Sequence, residues 1–305
     1  MDSAAEIIQN STGLVQTQAA GFRDRLAAFI ELTKPRIAFL LVLTAAAGFY
    51  VASPGKLDLP RFANTLVGIT LLAFGVSALN QYIERATDAL MNRTAGRPLP
   101  TGRVTPNEAL VFGILQCAVA ELYLFFLVNA LTAVLGLIVI VGYVFLYTPL
   151  KRRTSASTAI GAIPGAMPPL MGWAAASGEV TLGAWALFAL LFLWQFPHFL
   201  AIAWMYREDY AKAGILMLPV LEPSGRVTVR QIVLFTVMLV PVSFAPFFLA
   251  FAGPVYLLGA AALGVWFLTA AIKLARGKSF EQAKRVLVVS VFYLPLLYAL
   301  LVLGR

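Results

Sequence analysis

The chain has 305 residues, of which 60% are hydrophobic and 12% are charged, about half the charged share of ordinary globular domains. This composition excludes a water-soluble fold, a disordered chain and a secreted disulfide scaffold, and it predicts an all-α polytopic membrane protein. A single cysteine, Cys117, and a single histidine, His198, exclude disulfides within the chain and sites built from several such residues. The net charge of +9 is explained by basic cytoplasmic loops rather than by nucleic acid.

Nine apolar segments are long enough to cross a bilayer, because a spanning helix needs about 20 apolar residues. Ahead of them, residues 22–34 carry an apolar face that suits the membrane surface. Residues 1–28 are interpreted as a cytoplasmic tail and residues 29–305 as one transmembrane domain. In chain order, the predicted spans cover about 37–53, 64–83, 108–128, 131–147, 157–176, 182–205, 230–251, 255–273 and 285–303.

The basic residues divide unequally between the two sides that nine spans define. The N-terminus and the loops after the second, fourth, sixth and eighth spans hold 20 of the 23 lysines and arginines. This bias predicts a cytoplasmic N-terminus and an external C-terminus. The longest cytoplasmic loops follow the second and sixth spans, which suggests two related four-helix halves and a ninth helix.

The most informative polar cluster closes the second span. Asn80, Glu84 and Asp88 recur every four residues, so a helix presents their oxygens on one face. Such ligands suit magnesium, which takes one or two carboxylates and completes its shell with water and substrate phosphates. Arg93 and Arg97 follow, and arginine binds phosphate oxygens bidentately. The alternative is a solvated helix end with local ion pairs.

Two further basic clusters lie at predicted helix ends on the same side. Lys34 and Arg36 flank a proline in ELTKPRI, and Lys151 and Arg152 stand in YTPLKRRT. Each cluster could bind diphosphate or could serve only as a topology anchor. The intervening segment GAIPGAMPPLMGWAA is rich in glycine and proline, which permits either a cavity or close helix packing.

The sixth span carries the remaining candidates. Trp194 and His198 stand within WQFPH, and Glu208, Asp209 and Lys212 form a second acidic cluster beyond the end of the span. The histidine could accept a proton or bond a backbone carbonyl freed by the neighbouring proline. The acidic cluster could equally be an ordinary juxtamembrane loop.

Two functional classes fit nine spans with polar residues, an intramembrane enzyme and a transporter or lipid carrier. Alternating access favours polar groups at mid-membrane. The carboxylates and cations of this chain instead gather at one side, which favours the enzyme.

The motifs taken together resemble the UbiA superfamily of intramembrane prenyltransferases, and within it the branch that farnesylates haem B. The most specific element is Asn80-x3-Glu84-x3-Asp88 followed by the RTAGRPLPTG stretch, supported by YTPLKRRT, PPLMGWAA and WQFPHF. The resemblance runs from residue 31 to about residue 219. Quinone- and chlorophyll-prenylating relatives are the nearest rivals, against which His198 favours a porphyrin acceptor.

The resemblance implies a UbiA-type helical bundle with magnesium as its cofactor. It also implies an enzyme that transfers the farnesyl group of farnesyl diphosphate to a vinyl group of haem B, giving haem O. It implies that Asn80, Glu84 and Asp88 hold the metal and, with His198, act in catalysis, while His198 and Trp194 bind haem. The implied diphosphate ligands are Lys34, Arg36, Arg93, Arg97, Lys151 and Arg152. The expected location is the bacterial inner membrane, with haem A synthase or terminal oxidase assembly factors as candidate partners.

One departure from the superfamily pattern concerns the second acidic cluster. The superfamily often has two aspartates four residues apart at that place, whereas this chain reads Tyr206-Arg207-Glu208-Asp209-Tyr210. A second metal held in the same way is therefore not implied.

Overall fold

The computed structural model describes residues 21–53 and 55–304, and all regular structure within them is helical. The helices are α1 Phe22–Leu32, α2 Pro35–Ala52, α3 Leu59–Asp88, α4 Pro106–Leu127, α5 Ala130–Leu150, α6 Ser157–Gly165, α7 Met167–Ser177, α8 Leu182–Met205, α9 Arg207–Lys212, α10 Leu218–Leu221, α11 Arg226–Phe248, α12 Pro254–Gly277 and α13 Phe280–Leu303.

Eight helices of the described chain are long and apolar enough to span a membrane, and each corresponds to one predicted span. The fifth predicted span, 157–176, is helical but divided into α6 and α7 at Ala166. Prolines explain the division, since proline lacks the backbone donor and crowds the preceding turn. Pro164 lies inside α6, and Pro168 and Pro169 open α7. The all-α membrane bundle is confirmed with eight candidate spanning helices among the described residues, and α6 and α7 occupy the place of the fifth predicted span.

The helices pack as two groups around a shared core. In the first group α3 packs on α4 and α2 packs on α7; in the second, α8, α11, α12 and α13 pack together. The contact between α2 and α7 depends on glycine. A Cβ at Gly48 would stand 2.1 Å from the carbonyl oxygen of Pro169, and one at Gly172 would stand 2.0 Å from that of Ala45. Small residues therefore let these two backbones touch, as in other membrane helix pairs.

Helix α1 is fastened to the bundle and positions the start of α2. Residues 1–20 of the predicted cytoplasmic tail lie outside the described residues. The predicted end of that tail, at residue 28, falls inside α1. Ala28 and Leu32 of α1 are buried. Arg25 pairs with Glu108, Arg103 pairs with Glu31, and Gln81 donates to the carbonyl oxygen of Leu32. The opposite face exposes the large apolar residues Phe22, Leu26 and Ile30.

Candidate active site

The last turns of α3 carry Asn80, Glu84 and Asp88, and we call this face the floor of the candidate site. Helix α3 continues to Asp88, five residues beyond the predicted end of the span, so Glu84 and Asp88 stay in helical register with Asn80. The side chains of Asn80 and Asp88 are buried, and that of Glu84 is nearly so. The face predicted from the spacing of these three residues is therefore present and turned into the protein.

A cation from a different segment meets each residue of this face. Lys34 donates from Nζ to Asn80 Oδ1 at 2.8 Å. Lys151 Nζ lies 2.6 Å from Glu84 Oε1. Arg97 Nη1 lies 2.7 Å from Asp88 Oδ2. The floor thus combines two carboxylates, one amide and three cations gathered from four segments, and this charge-rich set would carry a large desolvation cost without the pairing.

Lys34 occupies an unusual backbone position at the junction of α1 and α2. Its φ of 50° is left-handed, a conformation that side-chain-bearing residues seldom adopt, and Pro35 follows directly. Burial lowers the pKa of Lys34 to about 7, and the Arg97 guanidinium adds to the lowering while Glu84 opposes it. Strained residues of this kind concentrate at functional sites, where the surrounding structure holds them.

The end of α5 forms a wall beside the floor. Residues Val141–Tyr147 make a π-helical turn, a feature frequent at functional sites. Thr148 donates to the carbonyl oxygen of Tyr143 at 2.8 Å and accepts from Asn80 Nδ2 at 3.2 Å. Lys151 Nζ stands 4.4 Å from the ring centre of Tyr147, which packs edge-on against Tyr143. Burial alone would lower the pKa of Lys151, but the Glu84 carboxylate raises it well above its usual value.

The donor set of the floor fits a magnesium ion. Asp88 Oδ1 is buried and has no hydrogen-bond partner among residues 21–53 and 55–304, although the other oxygen of this carboxylate accepts from Arg97. Within the described residues, no three His, Cys, Asp or Glu side chains are arranged to hold a metal by themselves. Two carboxylates and an amide therefore leave part of a coordination shell to substrate and water, which is the manner in which magnesium binds.

The other expected diphosphate ligands lie elsewhere. Arg93 Nη2 donates to the Tyr210 hydroxyl at 3.1 Å, and the guanidinium stacks 5.3 Å from the ring centre of Tyr206. Arg93 thereby joins the loop after α3 to α9. Arg36 and Arg152 are exposed, and neither makes a side-chain hydrogen bond or ion pair with any residue in 21–53 or 55–304.

His198 and Trp194 form a separate polar group within the bundle. Their rings stack at 4.6 Å between centres. His198 Nδ1 lies 2.8 Å from Ser290 Oγ on α13, and Trp194 Nε1 donates to the Ser290 carbonyl oxygen at 2.8 Å. The structure therefore brings together the two residues expected to bind haem and adds a third, Ser290.

The second acidic cluster lies on α9 and the turn into it. Glu208 and Lys212 are exposed and Asp209 is half-buried. None of the three makes a side-chain hydrogen bond or ion pair to a residue in the described part of the chain. This cluster differs in that respect from the floor of α3.

The sequence did not predict two residues that the structure places beside these sites, Tyr143 next to the floor and Ser290 next to His198. Tyr143 precedes Tyr147 by four residues, a spacing that could have placed both aromatic rings on one face. Ser290 stands in an apolar stretch of the ninth predicted span, and no local pattern distinguishes it from a helix-packing serine.

Family comparison identifies the class of protein. Residues 41–297 match the model of the UbiA prenyltransferase family, and the chain belongs to that family. A relative from Solibacter usitatus, named protoheme IX farnesyltransferase, is 49% identical over 286 residues, covering 91% of this chain and 98% of the relative. Seven further relatives at 41–47% identity carry the same name.

Solved structures share the fold. The structure of a digeranylgeranylglyceryl phosphate synthase superposes with a TM-score of 0.77 at 18% identity, covering 92% of this chain and 98% of the other. A UbiA homologue from Archaeoglobus fulgidus bound to GPP and Mg²⁺ gives a TM-score of 0.68 at 17% identity, covering 90% and 99%. At these identities the likeness shows the fold alone.

Proposed function

We propose that this chain farnesylates haem B, transferring the farnesyl group of farnesyl diphosphate to a vinyl group and producing haem O and diphosphate. The observation that carries the proposal is the consistent name of relatives at 41–49% identity, which match nearly the whole length of both chains. The charged floor of α3 supplies the physical support, since an intramembrane cluster of ionisable groups is expensive unless it has a function.

The floor would hold the diphosphate through magnesium and cations. Asn80, Glu84 and Asp88 would bind the metal, and a related UbiA protein solved with Mg²⁺ supports magnesium as that metal. When bound, magnesium would supply positive charge that stabilises the departing diphosphate. Lys34, Lys151 and Arg97 already point at this face, so their cations would neutralise the remaining charge. Arg36, Arg93 and Arg152 lie outside this set of contacts, so their contribution to diphosphate binding would be small.

The bonds and charges of the proposed reaction balance. The bond between C1 of the farnesyl group and the diphosphate oxygen breaks, and the diphosphate keeps the electron pair. The vinyl group attacks C1 of the allylic cation, and water adds to the cation formed beside the porphyrin, losing a proton. Aromatic faces such as those of Tyr143 and Tyr147 stabilise cations, and an apolar surround delays the attack of water.

Trp194 and His198 would receive the haem. By the rise of about 1.5 Å per helical residue, His198 lies about 10 Å from the end of α8. Asn80 lies about 12 Å from the end of α3 by the same measure. Each group therefore lies about two turns inside the end of its helix.

The setting of this activity would be a bacterial plasma membrane. Residues 29–305 would form one transmembrane prenyltransferase domain after a cytoplasmic tail, with the N-terminus and the diphosphate site in the cytoplasm and the C-terminus outside. The distribution of 20 among 23 basic residues supports this orientation. Haem A synthase and terminal oxidase assembly factors are the protein partners that a haem O product suggests.

Anaerobic incubation of the purified protein with haem B, farnesyl diphosphate and magnesium tests the activity. Mass analysis of the extracted haems should show a haem that has gained one farnesyl group and one hydroxyl group. Omission of haem B and replacement by a quinone precursor are the controls. Prenylation of the quinone precursor with unmodified haem would refute the proposed acceptor.

A further inference from the structure

The imidazole of His198 is held by Ser290 in an arrangement that favours one tautomer. The Ser290 hydroxyl has one proton and donates it to the carbonyl oxygen of Leu287 at 2.6 Å. The same oxygen lies 2.8 Å from His198 Nδ1, and a hydroxyl that donates its proton to Leu287 accepts one from Nδ1. The proton of the neutral imidazole therefore resides on Nδ1, and Nε2 carries the free lone pair.

The opposite edge of the ring is available. His198 is half-buried, and its Nε2 makes no hydrogen bond with any residue in the described part of the chain. Trp194 covers one face of the imidazole, and its indole N–H donates to the backbone carbonyl oxygen of Ser290. Ser290 thus binds the histidine through its hydroxyl and the stacked tryptophan through its carbonyl. Both bonds restrict rotation of the imidazole ring.

We propose that Ser290 is a positioning residue that presents His198 Nε2 as an axial ligand to the iron of the haem substrate. The proposal rests on the proposed function for the identity of the substrate. A histidine ligand commonly donates its other ring N–H to an acceptor, which fixes the ring and raises its basicity, and removal of such an acceptor lowers metal affinity. Ser290 supplies this acceptor from α13 to a histidine on α8.

Haem titration of the purified full-length protein tests the proposal. Ferric haem B is added to wild type, Ser290→Ala, Ser290→Thr and His198→Ala, and the absorbance spectrum reports both affinity and imidazole ligation. Ser290→Ala should weaken haem binding by about ten-fold or more and reduce the imidazole-ligated spectrum. Ser290→Thr keeps the hydroxyl and should restore both. His198→Ala should abolish the imidazole-ligated spectrum.

A matched control separates positioning from helix packing. Thr236 on α11 is also buried and donates its hydroxyl to a carbonyl of its own helix, Ile232 at 2.7 Å. Thr236→Val should leave the haem spectrum unchanged. Wild-type affinity and spectrum in Ser290→Ala or in His198→Ala would overturn the proposal, whereas turnover of haem B by those variants would leave the proposed function intact. Conversely, His198-dependent haem binding without farnesylation would refute the proposed function alone.

Discussion

Two acidic clusters with similar residue types lie near each other in this protein and differ in their surroundings. The floor of α3 is buried, and each of its polar side chains meets a cation from another segment. The cluster of Glu208, Asp209 and Lys212 on α9 is mostly exposed and has no side-chain partner in the described part of the chain. Composition does not distinguish the two clusters, whereas burial and long-range pairing do. We therefore propose that α3, and not α9, holds the diphosphate.

The strongest test removes one charge from the floor. Asp88→Asn and Glu84→Gln should each lower the rate of haem farnesylation by at least about 100-fold, because each would remove a carboxylate that holds the magnesium on which departure of the diphosphate depends. The rate is measured by mass analysis of extracted haems at limiting magnesium. Near-normal activity in either variant would show that the residue is not a metal ligand.

The matched variants lie in the second cluster. Asp209→Asn and Glu208→Gln change the same chemical groups at more exposed positions and should keep activity within about two-fold of wild type. Thermal unfolding of all four variants confirms that each is folded. A loss in Asp209→Asn as large as that in Asp88→Asn would mean that both clusters act on the diphosphate.

Two cations near the start of α2 offer a second comparison of a paired with an exposed side chain, with smaller expected effects. Lys34→Gln removes a half-buried amine that bonds Asn80 and should raise the KM for farnesyl diphosphate by about ten-fold. Arg36→Gln changes an exposed cation two residues away and should have an effect of less than about two-fold. Initial rates over a range of farnesyl diphosphate concentrations measure both. Equal effects of the two variants would argue that both side chains bind substrate from solution.

Arg93 connects the loop after α3 to the second acidic cluster, and its substitution should have a smaller effect than the substitutions in the floor. Arg93→Ala removes the bond to Tyr210 and the stacking on Tyr206, a loss of about 1–2 kcal/mol. Hydrogen exchange in residues 206–214 should accelerate, while exchange in the last turns of α3 should change little. Arg93→Lys serves as the control, because it keeps the charge but loses the planar fork. Unchanged exchange in Arg93→Ala would contradict the connecting role.

The smallest expected effect comes from two reporter positions used to test orientation. Thr101→Cys and Ala211→Cys place thiols at exposed sites beside the two clusters, in a background in which the buried Cys117 is replaced by alanine. Activity should stay within about two-fold. An impermeant thiol reagent should label both positions only after the membrane is opened. Labelling from outside intact cells would reverse the proposed topology.

Much of this architecture could be predicted from periodicity and charge. The spacing of Asn80, Glu84 and Asp88 predicts one helical face, and the structure places them on one. The pairing of Lys34 with Asn80 could not be predicted, because it depends on a left-handed backbone residue and on how α1 packs against α3. The tautomer of His198 likewise depends on Ser290, which is 92 residues away. Local patterns therefore reveal the elements of the site, and long-range packing determines their partners.

The central claim is that the floor of α3 binds the diphosphate through a metal. Calorimetry with an unreactive farnesyl diphosphate analogue, performed over a range of magnesium concentrations, measures this directly. Wild type and Asp209→Asn should bind the analogue more tightly as magnesium rises, and Asp88→Asn should lose that dependence. Full magnesium-dependent affinity in Asp88→Asn would contradict the account.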